Sequence, residues 1–188
     1  MIRRALFTSA IALSFALVAP LTAQAQSIFV SAGAVIPTGD DSDDISTGYM
    51  LAGGLIFDVG TSGVWAGVDG VYGRSSADDI ISGASFKPFS IMGVLGYSIA
   101  TEGTLDPYIF GGAGLMGVKF SLDDFSESAS GFGWQAGAGF SFGNADAKMR
   151  PYIEGRYQSA SVEFEDDTSN ETVSFFGALV GMTINVGN

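Results

Sequence analysis

The chain contains no histidine and no cysteine. Without them neither a Ser-His-Asp nor a Cys-His nucleophile can be assembled, and the imidazole and thiolate ligands of zinc sites are missing. Disulfides are excluded, as is the lipid-bearing cysteine of a lipoprotein. Basic residues are scarce, with Lys+Arg at 8 against Asp+Glu at 20 and a formal net charge of −12. That sign opposes binding to a phosphate backbone, so no nucleic acid is expected as a partner. Beyond Pro20 the sequence also lacks any apolar, uncharged run of roughly 18 residues and any sustained apolar repeat at helical spacing, so no helix is expected to cross a membrane.

What is present begins with an export signal. Arg3 and Arg4 precede an almost wholly apolar run, Ala5 to Pro20, and Ala23-Gln24-Ala25 then sets small residues two apart. This order of charge, apolar stretch and small-residue site is that of a secretory signal peptide. The apolar run falls short of the roughly 20 residues that a spanning helix needs. Residues 1–25 are therefore expected to be removed, leaving 26–188 as one domain that begins at Gln26. Losing Arg3 and Arg4 takes the formal charge from −12 to −14. Yet the hydrophobic fraction is 47% and the mean hydropathy +0.33. A membrane protein whose acids lie outside the bilayer reconciles the two, and with helices excluded only a closed barrel pairs every backbone amide internally.

The rest of the chain reads as eight short runs rich in glycine, aromatic and β-branched residues: Ser27–Pro37, Gly48–Val59, Val64–Arg74, Phe86–Ile99, Pro107–Phe120, Gly131–Phe142, Arg150–Phe164 and Thr172–Val186. Each is near the roughly 9–11 residues that a tilted strand needs to cross hydrocarbon, or slightly longer. Three alternate cleanly. Phe132, Trp134, Ala136, Ala138, Phe140 and Phe142 oppose Gly131, Gly133, Gln135, Gly137, Gly139 and Ser141. Gly48–Val59 sets Tyr49, Leu51, Leu55 and Phe57 on one face, and Thr172–Val186 sets Phe176, Val180, Met182 and Ile184 against Gly177, Gly181 and Thr183. Period two over such lengths is a strand signal. In Pro107–Phe120 both faces are apolar and the register stays open.

The connections decide which face meets what. Three are short, around Gly60-Thr61-Ser62-Gly63, Ala100–Leu105 and Gly143–Lys148. The other four, Thr38–Thr47, Ser75–Ser85, Ser121–Ser130 and Glu165–Glu171, hold most of the acids: Asp40, Asp41, Asp43, Asp44, Asp78, Asp79, Asp123, Asp124, Glu127, Glu165, Asp166, Asp167 and Glu171. Short turns alternating with longer polar loops, and acids gathered at one end, fit an eight-stranded antiparallel up-and-down transmembrane barrel with short periplasmic turns and acidic external loops. The greasy faces then look out at lipid and the polar residues into the lumen.

Asp106-Pro107-Tyr108-Ile109-Phe110-Gly111-Gly112-Ala113-Gly114, Arg150-Pro151-Tyr152-Ile153-Glu154-Gly155-Arg156-Tyr157 and the Phe132–Phe140 stretch give the chain its likeness to a known group. It resembles the Gly-rich outer-membrane β-barrel family, which includes the eight-stranded OmpA-like, OmpX-like and opacity-type porin domains. The resemblance implies residence in the outer membrane, lipid as the surrounding partner and the barrel-assembly machinery as the partner in biogenesis. It departs at Val186-Gly187-Asn188, which stands in place of the family's terminal aromatic residue. The peptidoglycan-binding domain of longer members is not expected.

Several patterns carry less than they suggest. Gly112-Ala113-Gly114-Leu115-Met116-Gly117 fits a dinucleotide fingerprint, but no helix follows it to meet a pyrophosphate. It reads instead as glycines thinning a barrel wall. Loop carboxylate pairs such as Asp40-Asp41 lack EF-hand spacing, and Asn170-Glu171-Thr172 is a glycosylation sequon by pattern alone. No catalytic residue, metal site or cofactor is expected.

More informative are polar residues inside strands. Glu154, Arg156 and Gln158 alternate along the seventh run, and Asp69 shares a face with Gly67 and Gly73 in the third. Facing lipid they would be costly, so they are expected in the lumen, where buried charges need partners, as a Glu154–Arg156–Asp69 network with Gln135 and Gln158. Eight strands leave an interior just wide enough for side chains, which favours a plug over a gated path. The aromatics Tyr49, Trp65, Tyr72, Tyr97, Tyr108, Phe120, Trp134, Tyr152 and Phe164 suit interfacial girdles, although position alone leaves inward pointing open for some. The expected function is thus a non-enzymatic outer-membrane barrel, structural or presenting its loops to a surface ligand. A narrow channel for small solutes is the alternative, and a soluble lipocalin-like ligand carrier of the periplasm a more distant one.

Overall fold

The computed structural model describes residues 26–38, 45–76, 84–99, 101, 103–122, 125–163 and 170–186. Residues 1–25, read as the export signal, lie outside them. So do the loop acids Asp40, Asp41, Asp43, Asp44, Asp78, Asp79, Asp123, Asp124, Glu165, Asp166 and Asp167.

Eight strands follow one another: β1 Gln26–Thr38, β2 Gly48–Asp58, β3 Val64–Ser76, β4 Ser85–Ser98, β5 Leu105–Leu122, β6 Phe125–Phe142, β7 Met149–Glu163 and β8 Asn170–Asn185. Each pairs antiparallel with its neighbours in sequence, and β1 returns to pair with β8 from Ser27↔Asn185 to Thr38↔Ser174. The sheet is therefore closed, and no edge amide faces outward. The short links, residues 59–63, 99–104 and 143–148, share one end of the barrel with Gln26 and Asn185. In the first of them Gly60 and Gly63 take φ values of 73° and 80°, a region costly for a side chain, and Val59 N donates to Val64 O at 2.8 Å to close the turn.

One connection differs from its sequence reading. Ser121–Ser130 was expected as a polar loop, yet β5 and β6 stay paired up to Leu122↔Phe125, and only residues 123–124 separate the strands. Glu127 is accordingly a strand residue opposite Phe120. Beyond the lipid, a strand can carry polar side chains on both faces, so alternation fades while the ladder continues.

Alternation sorts the side chains into two populations. Outward-facing residues include Val30, Leu51, Leu55, Ile91, Leu95, Ile109, Leu115, Phe132, Ile153 and Val180, with Phe132 76% and Val180 62% exposed. They form an apolar belt around the whole barrel, far beyond the scattered patches of a soluble monomer. The register that the sequence left open in β5 is settled: Ile109 and Leu115 face out, while Tyr108, Phe110, Met116 and Val118 face in.

The interior corrects one expectation. It is not polar throughout: towards the end opposite the short links Val35, Met50, Val71, Phe86, Met116, Val118, Val162 and Phe175 are buried together. A lumen this narrow excludes water once side chains fill it, so apolar packing there is as favourable as in a soluble core. The polar residues occupy the middle, and below them lies an open cup.

Candidate functional site

The middle storey is built from β3, β6 and β7. Inward parity on β7 lines up Glu154, Arg156 and Gln158, and register carries Gln158 across to Gln135 on β6. Asp69 approaches from β3 on the far wall. Arg156 Nη1 donates to Asp69 Oδ2 at 2.6 Å, and Arg156 Nε donates to Glu154 Oε1 at 2.7 Å. Gln135 Nε2 donates to the same Asp69 oxygen at 3.0 Å, and Gln158 Nε2 donates to Gln135 Oε1 at 2.8 Å and to Ser90 Oγ at 3.1 Å. All five lumen residues singled out in the sequence thus meet in one cluster. Arg156, Asp69 and Gln135 are each 2% exposed. With its guanidinium shared between two carboxylates, the arginine supplies the planar fork that such recognition needs.

The sequence did not point to Tyr108, Phe110 and Ser90 as members. Tyr108 OH donates to Glu154 Oε2 at 2.9 Å, and the Arg156 guanidinium carbon lies 5.4 Å from the Phe110 ring centre. The missing signal was the register of β5: once Asp106 is known to face in, parity places Tyr108 and Phe110 beside it.

Toward the short links the lumen opens into a cavity of about 660 Å³. Asp69, Glu154 and Arg156 stand at its inner end, with Trp65, Tyr108 and Tyr152 among its walls. At the mouth Arg150 is paired with Asp106, and Asp58, Asp146 and Lys148 stand exposed.

The aromatics of this cup correct a second expectation. Trp65 and Tyr152 are buried and Tyr108 is turned inward, so none of the three belongs to an interfacial girdle. Tyr49, Tyr72, Tyr97 and Trp134 do face outward, each at least 45% exposed. Phe164 lies outside the described residues. Trp65 contacts Tyr108 and Phe110, with ring centres 6.4 and 6.1 Å apart, and Tyr108 contacts Tyr152 edge-on at 6.4 Å.

Glycines make room for these rings. Each inward aromatic of the lower lumen has a glycine as its register partner: Phe29↔Gly54, Trp65↔Gly96, Tyr108↔Gly139, Phe110↔Gly137 and Tyr152↔Gly181. A Cβ added at Gly137 would lie 2.5 Å from the Phe110 ring, and one at Gly139 2.5 Å from the Tyr108 hydroxyl. Gly112, from the fingerprint-like run, faces Gln135 Nε2, which would stand 3.2 Å from an added Cβ. The glycines thus leave space on the inner wall for the large lumen side chains.

Residues 8–146 match the model of the outer membrane protein beta-barrel domain. Among solved structures, Neisserial surface protein A is similar at a TM-score of 0.68 and 15% identity, covering 85% of this chain and 96% of that one. The N-terminal β-barrel domain of Pseudomonas aeruginosa OprF aligns at 0.52 and 15% identity, over 86% of this chain and 99% of that one. OprG of the same organism aligns at 0.54 and 12% identity, over 88% and 98%. At these identities the structures establish a shared fold. Comparison with curated proteins gives no match. The matched model spans most of the chain and its eight strands close as those barrels do: this protein is a member of the outer membrane protein beta-barrel domain family.

Proposed function

We propose that the protein is a non-enzymatic barrel of the outer membrane, structural or surface-interacting, that conducts little. The single observation behind this reading is the filled lumen. Arg156, Asp69, Glu154, Gln135 and Gln158 are bonded across its middle, and Met50, Met116, Val162 and Phe175 pack beyond them at 0% exposure or close to it. A solute entering from the cup meets first a buried ionic cluster and then an apolar plug. The non-enzymatic part rests on the lack of histidine and cysteine and on carboxylates already tied to Arg156. Export by residues 1–25, insertion by the assembly machinery and display of the acidic loops to a surface ligand belong to the same reading.

Planar-bilayer recording of the refolded, purified chain tests it. Quiet membranes with rare, small conductance steps are expected. A stable, large, ohmic conductance per barrel would reject the closed lumen and turn the reading towards a solute channel.

A further inference from the structure

The buried cluster at the inner end of the cup does not balance its own charge. Two carboxylates, Asp69 and Glu154, share one guanidinium, that of Arg156. The other members, Gln135, Gln158, Ser90 and Tyr108, are neutral, and among the described residues no further cation touches the group. With both carboxylates ionised the formal count leaves one negative charge at mid-barrel, where burial penalises it and favours uptake of a proton or a cation. Both acceptor contacts of Asp69 fall on Oδ2, while Oδ1 is buried without a hydrogen-bond partner on a residue that lines the cup. Around the approach stand the rings of Trp65, Tyr108 and Phe110, whose faces attract cations. At the mouth Asp58 and Asp146 stand exposed beside Lys148 and make no ion pair within the described residues.

We propose that the cup is a binding site for a small organic amine, entered from the end with the short links. A turn of the Asp69 carboxylate brings the buried Oδ1 to the inner end of the cup, where the ammonium group donates to it and neutralises the cluster, while its hydrocarbon body lies against the aromatic walls. The cavity of about 660 Å³ is of ligand size. A bare metal ion fits less well. No cluster of three or more potential ligand side chains exists among the described residues, and one free carboxylate oxygen beside aromatic rings is a poor cage. A second ammonium on the same chain, reaching the mouth, would meet Asp58 or Asp146, so a linear diamine suits the site better than a monoamine.

The protein carries its own reporter. Its tryptophans are Trp65, in the cup, and Trp134, which faces lipid beside Tyr157. In a Trp134→Phe background, emission reports the cup alone. Titrating the refolded barrel with diaminopentane should give a saturable change in Trp65 emission, and pentanediol, the neutral isostere, should give none at equal concentration. Asp69→Asn should weaken the diamine by roughly tenfold or more, the loss expected for one charge-assisted hydrogen bond. Asp58→Asn, at the exposed mouth, should weaken the diamine but leave a monoamine unchanged. Heat-modifiable gel mobility checks that each variant is folded. Equal responses to diamine and diol, or no saturable response from the folded parent, would overturn the proposal without any variant of the cluster. Unchanged diamine affinity in folded Asp69→Asn would overturn it as well.

Discussion

Trp65 stands directly across the β3–β4 ladder from Gly96, and its indole fills the volume that a side chain at position 96 would claim. A Cβ built there would meet three atoms of the ring. The two residues act as one unit, a large inward group and the space reserved for it. Gly96→Val should force Trp65 from its place and destabilise the barrel by about 1–3 kcal/mol, the usual cost of overpacking. Urea unfolding of the barrel refolded in lipid, followed by tryptophan emission, measures it. A change within the error of the parent would show that the ring has another place to go.

The ionic cluster makes a sharper claim. Arg156→Met leaves two carboxylates buried side by side without their guanidinium and should cost about 3–5 kcal/mol. Adding Asp69→Asn and Glu154→Gln to the same chain removes the stranded charges and should recover most of that loss. Unfolding midpoints of the single and triple variants are compared directly. If the triple variant falls further than the single one, the cluster is worth more as ions than as neutral groups.

Beyond the cluster, Phe175 packs at 0% exposure among Met50, Val162 and Val35. Phe175→Ala should leave a cavity and cost about 3–5 kcal/mol. Bilayer recordings should nonetheless stay quiet, because the Arg156 cluster below is untouched. Loss of stability together with new conductance would place the seal in the apolar plug alone.

On the outside, Ile91 is 62% exposed near the middle of β4. If the belt faces hydrocarbon, Ile91→Arg should destabilise the lipid-embedded barrel by about 2–4 kcal/mol. In a soluble protein the same exposed position would tolerate arginine almost freely. Unfolding in vesicles against the parent gives the answer.

How much of this was legible depended on chemical contrast between the two faces of a strand. In β6 the outward Phe132, Trp134 and Phe140 alternate with glycine and Gln135, so orientation could be read directly. In β5 the faces offer Ile109 and Leu115 against Phe110 and Met116, and nothing in hydropathy tells them apart. Which of the aromatics turn inward, as Trp65, Tyr108 and Tyr152 do, stayed open in the sequence for a related reason. Whether an aromatic residue turns inward depends on whether the neighbouring strand sets a glycine across from it, and that is a matter of register between strands. The polar cluster was easier, because charge inside a membrane strand has only one tolerable direction. Its surplus of carboxylate became visible only with the partners of Asp69 and Glu154 in place. The continuation of the β5–β6 ladder to Leu122↔Phe125 was hidden because Ser126, Glu127 and Ser128 have the composition of a loop.

The β1–β8 seam joins the two most distant segments of the domain, down to Ser27 Oγ donating to Asn185 Oδ1 at 2.7 Å. Every other ladder joins strands adjacent in sequence and can zip as soon as its hairpin exists. The first strand alone must wait for the last, its amides held open until the eighth arrives. Closure of the cylinder therefore rests on the one ladder of longest sequence separation, and the amides on that side of β1 find their partners only in β8.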